Sequence, residues 1–72
     1  MTRLLIESEH DMELNISYLT ELARHKAASK IEITFPSAFL LETFMNNFCA
    51  ELDREKIEAA NIDLSVFVPK GD

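Results

Sequence analysis

The chain is poor in the residues that staple, punctuate or recruit. Its 72 residues include one cysteine, one glycine, two prolines and no tryptophan. Cys49 alone cannot close an intramolecular disulfide, and with only two histidines beside it there is no zinc site of the usual spacing. Stability must therefore come from packing. With Gly71 as the single glycine, no glycine-rich loop can cradle a phosphate, and the P-loop, dinucleotide and nucleophile-elbow patterns are all missing. No catalytic residue, cofactor site or metal site is expected, and the chain reads as a non-enzyme.

Long apolar runs are lacking too. The longest are Ala38 to Leu41 and Val66 to Val68, far short of the roughly 20 residues that span a bilayer. Thr2-Arg3-Leu4-Leu5-Ile6-Glu7 becomes charged after three apolar residues, unlike a secretory signal. The expected location is cytoplasmic, with no membrane contact. Basic residues are also scarce: seven Lys and Arg against thirteen Asp and Glu give a formal charge of −6. Phosphate backbones are held by clustered cations, so direct nucleic-acid binding is not expected.

What is present is a large apolar fraction, 47%. The chain reads as one α/β domain over residues 1–72. Burial of apolar surface in a chain this small contributes about 110 kcal/mol, against about 108 kcal/mol for ordering it. So thin a surplus means that a partner, or a second copy, would add stability.

Lys30-Ile31-Glu32-Ile33-Thr34-Phe35 alternates strictly, with Ile31, Ile33 and Phe35 on one face of a strand. Residues 61–68 alternate likewise, with Ile62, Leu64, Val66 and Val68 inward and Asp63, Ser65 and Phe67 outward. Near the start, Leu4 and Ile6 point inward while Arg3, Leu5 and Glu7 point out. Pro36 suits the first turn of a helix whose apolar residues recur at Leu40, Leu41, Phe44, Met45, Phe48, Cys49 and Leu52. That places Cys49 in the core. The helix ends near Asp53 or runs on through Ala60.

Residues 11–29 admit two readings. As a helix capped by Asp11, with Met12, Ile16, Leu19, Leu22 and Ala23 as its stripe, they give β-α-β-α-β. As an alternating strand over residues 12–18 followed by a helix over Leu19 to Ala28, they give β-β-α-β-α-β, the favoured order. Either way the expectation is an α/β (α+β) two-layer sandwich: a sheet of three or four strands with two helices on one face and the other face open.

Four apolar residues fall off these patterns and are the candidate interface. Leu5 and Phe67 point to the open face, and would form one apolar spot if the first and last strands are neighbours; Phe39 lies opposite the stripe of the second helix, joined by Ile57 if that helix continues. Glu7, Glu9, Asp11 and Glu13, with His10, form an acidic cluster that reads as a solvated turn without the ligand order of a calcium loop. Arg24-His25-Lys26 places cations near the end of the first helix, where they complement its carbonyls.

The leading expectation is a small interaction module or regulator whose partner is another protein or itself, as a homodimer through the open sheet face. One alternative is an acidic inhibitor, of antitoxin or phage-antagonist type, occupying the basic nucleic-acid site of a partner, drawn from the clusters at Glu7 to Glu13 and Glu51 to Glu58. The other is a small-ligand-binding regulator.

Overall fold

The computed structural model of the chain describes residues 2–69. Three strands and two helices alternate: β1 (Thr2–Leu5), α1 (Glu9–His25), β2 (Ser29–Thr34), α2 (Ala38–Glu55) and β3 (Ile62–Phe67). The order is therefore β-α-β-α-β, and the favoured extra strand over residues 12–18 does not form. Those residues lie inside α1. The strands are parallel in the order β1-β2-β3, and joining parallel neighbours takes a crossover of about a dozen residues or more, which a short hairpin turn at Ser8 to Asp11 cannot provide.

Local chemistry explains where each helix starts. The cap of α1 is Ser8, three residues before the expected Asp11: its hydroxyl accepts from the Asp11 amide at 3.2 Å, while the Asp11 carboxylate accepts from the Glu7 amide at 3.0 Å. This reciprocal pairing is a variant of the capping box: it accounts for one donor that the first turn would leave unpaired, the Asp11 amide, and for the Glu7 amide just before the cap. Ser37 performs the same service for α2, accepting from the Leu40 amide at 3.3 Å. Pro36 thus precedes the cap instead of sitting in the first turn.

Both helices stop on a lysine in the left-handed region, Lys26 with φ 56° and Lys56 with φ 57°. Glycine usually fills this position, and a residue with a β-carbon pays roughly 1–2 kcal/mol to adopt it. At the end of α2 the motif is complete, with the Lys56 amide donating to the Asp53 carbonyl at 3.2 Å and the Ile57 amide to the Leu52 carbonyl at 2.9 Å. At the end of α1 the Lys26 amide donates to Ala23, and the Leu22 carbonyl is capped from a distance by the Asn61 side chain at 3.1 Å. The same amide reaches the Ala27 carbonyl at 2.7 Å, tying the start of β3 to the end of α1.

The core lies between the helices and one face of the sheet. Ile6, Ile31, Ile33 and Phe35 from the sheet side meet Met12 and Leu19 of α1 and Phe44 and Phe48 of α2. Phe44 stacks at a tilt between Phe35 (5.3 Å) and Phe48 (5.9 Å), at the separations aromatic pairs prefer. Thr20, buried in α1, donates its hydroxyl proton to the Ile16 carbonyl at 2.7 Å, so its polar atom is not stranded. Two inward assignments are corrected. Cys49 is exposed, because one residue past Phe48 turns the helix by about 100° and carries the thiol over the rim of the buried side. Val66 points to the helix side but is 40% exposed, since among the described residues β3 is an edge strand with no neighbour beyond it.

Candidate interaction surface

Strand register builds the open face row by row. At the carboxyl ends of the strands, Leu5, Thr34 and Phe67 stand side by side; the next row is Arg3, Glu32 and Ser65, and the last is Lys30 and Asp63. The rows follow from the two-residue period of each strand, which sends these odd and even sets to the side opposite Ile31 and Ile33. Leu5 is 56% exposed and Phe67 50%. β1 and β3 are not neighbours, so the expected single spot is instead a pair of apolar side chains flanking Thr34, their strands about 10 Å apart.

The electrostatics of this face differ from those of the whole chain. Two bases, Arg3 and Lys30, stand against two acids, Glu32 and Asp63, so the face is neutral on a chain whose formal charge is −6. Arg3 and Glu32, paired across β1 and β2 in the register, also form an ion pair at 3.3 Å. Such an exposed pair contributes little to stability, but it presents alternating charge beside the apolar row.

The four candidate interface residues are not brought together. Leu5 and Phe67 share the open face. Phe39, 72% exposed, sits in the first turn of α2, on the helical layer at the same end of the molecule. Ile57 lies outside α2, which ends at Glu55, and is half-buried at the opposite end as the residue after the left-handed Lys56. The structure also exposes Leu14 and Tyr18, which the sequence reading did not single out. Their four-residue spacing within a helix was the available signal, obscured because the same residues fit a strand alternation.

The acidic cluster divides. Asp11 is taken up in capping α1, whereas Glu9 and Glu13 line the groove between the helices alongside Thr43 and Asn47. Glu13 continues along it with Asn47, Glu51 and Arg54, and Arg54 pairs with Glu51. Among the described residues no three His, Cys, Asp or Glu side chains are placed to hold a metal ion, and no helix is long and apolar enough to cross a membrane. Comparison with protein-family models, curated proteins and solved structures finds no match to this chain.

Proposed function

We propose that the chain is a small protein-interaction module without catalytic chemistry of its own, which pairs with a second copy of itself through the open sheet face. The observation that carries this reading is the neutral, apolar-edged face on a strongly acidic chain. Two copies at −6 repel each other, and they repel least where each presents as many bases as acids. All-parallel sheets are almost always covered on both faces, so a bare face calls for a second layer. A two-fold axis running along β2 would set Leu5 of one copy over Phe67 of the other, twice, and Arg3 over the other copy's Ser65.

Sedimentation velocity over a hundredfold range of concentration tests the idea. Wild type should shift from monomer to dimer, and Phe67→Ser should remain monomeric. A wild-type chain that stays monomeric throughout, or a Phe67→Ser dimer of unchanged strength, sinks the reading. The groove lined by Glu9, Glu13 and Glu51 favours a second reading, an acidic antagonist of a basic protein. That reading requires binding to a basic DNA-binding protein that falls steeply with added salt and with Glu13→Gln.

A further inference from the structure

Half of the bases among the described residues border one cleft. Arg24 from the last turn of α1, Lys26 just past it and Lys56 just past α2 line a cavity of about 440 Å³, whose remaining wall includes Ile57, Glu58 and Ala60. It lies at the amino ends of β2 and β3, away from the Leu5 and Phe67 row. Lys26 and Lys56 are thirty positions apart in sequence, yet they are the two non-glycine residues with positive φ among those described, and both reach the same cleft.

A lysine just past a helix end is ordinarily explained by the free carbonyls there. At these two ends several of the carbonyls are already engaged. Those of Ala23, Asp53 and Leu52 accept backbone amides, and those of Leu22 and Ala27 accept the Asn61 side chain. Arg24 is committed as well, to Glu21 and to Glu55 at 2.7 Å. Among the described residues neither Lys26 nor Lys56 forms an ion pair or a side-chain hydrogen bond. Two lysines without a side-chain partner among the described residues therefore line one cavity with a single acid, Glu58, in its lining.

We propose that Lys26 and Lys56 form a binding site for a small organic anion, a carboxylate or phosphate ester whose apolar part rests on Ile57 and Ala60. Ammonium groups hold such anions as point charges, and the apolar wall selects an organic body over an inorganic ion. This site does not depend on pairing through the sheet face, so either proposal can fail alone.

The test is an amide NMR titration with phenyl phosphate and with benzoate, at ionic strength held constant by sodium chloride. Saturable shifts are expected at Lys26, Lys56, Ile57 and Ala60, with chloride alone producing none. Response to one probe only assigns the anion as phosphate or as carboxylate. Lys26→Gly and Lys56→Gly keep the left-handed caps and should leave the thermal midpoint equal or higher, while each weakens binding at least fivefold; Lys56→Arg should retain it. Absence of saturable shifts with both probes, or unchanged binding in both glycine variants, overturns the proposal and leaves the lysines as helix ends alone.

Discussion

The two faces of the sheet are built from the same three strands in the same register, and they differ in almost everything else. On one face Ile31 and Ile33 are fully covered by α1 and α2; on the other, Leu5, Thr34 and Phe67 occupy the equivalent positions and face outward. What separates them is the handedness of the connections. Right-handed crossovers between strands in sequential order deliver both helices to one side, leaving nothing in the described chain to cover the other. Under the proposed pairing, stability and association reside on opposite faces, so substitutions on each should have separable effects.

The largest effect is expected on the covered face. Ile33→Ala removes a fully buried side chain from the middle strand and should lower unfolding free energy by about 2–5 kcal/mol, read as a shift in the urea midpoint at constant m-value. A change below about 1 kcal/mol would mean that the core is loosely packed and the contrast between faces overstated.

Next comes the tie that holds β3 in the sheet. Asn61→Ala abolishes both amide hydrogen bonds and strips the Leu22 carbonyl of its cap, at an expected cost of about 1–3 kcal/mol. Hydrogen exchange should show β3 and the end of α1 opening together. If β3 stays protected, the open face does not depend on that closure.

On the open face, Phe67→Ser should lower the stability of the dilute chain by only about 1 kcal/mol, well short of Ile33→Ala, because half of the residue is already exposed. Its main effect should appear in sedimentation. A large loss of stability at low concentration would show that Phe67 serves the fold, erasing the division between faces.

The smallest effect sharpens the electrostatic part of the argument. Glu32→Gln removes one acid and the Arg3 pair, and should change monomer stability by less than about 1 kcal/mol, as exposed ion pairs usually do. Dimerisation should become more salt-sensitive, since each face then carries a positive excess.

Much of this architecture was legible from the residues. The alternation of Ile31, Ile33 and Phe35 and of Leu4 and Ile6 identified the buried side of β1 and β2, because a two-residue period has one solution when one face is apolar. The stripe of α2 was equally clear at Leu41, Phe44 and Phe48. Residues 12–18 were not legible, because Met12, Leu14, Ile16 and Tyr18 satisfy a strand period while Met12, Ile16 and Leu19 satisfy a helical one. The capping pair Ser8 and Asp11, together with the need for a long crossover between parallel strands, decided for helix. Cys49 and Val66 were misplaced for a related reason: periodicity gives a direction, and a helix rim or an unflanked edge strand reduces the coverage found in that direction.

The amino-acid sequence by itself determined the strand or helix character of β2, α2 and β3, that one sheet face would be bare, and that no disulfide could close within the chain. Those properties are local, set by backbone period, side-chain size and the scarcity of cysteine and glycine. Only the tertiary structure decided that β2 stands between Leu5 and Phe67, that Asn61 closes the far end of α1, and that Lys26 and Lys56 meet at one cleft. These are relations between segments tens of residues apart, and they exist only once the chain crossovers have set strand order and brought both helix ends to the same side of the molecule.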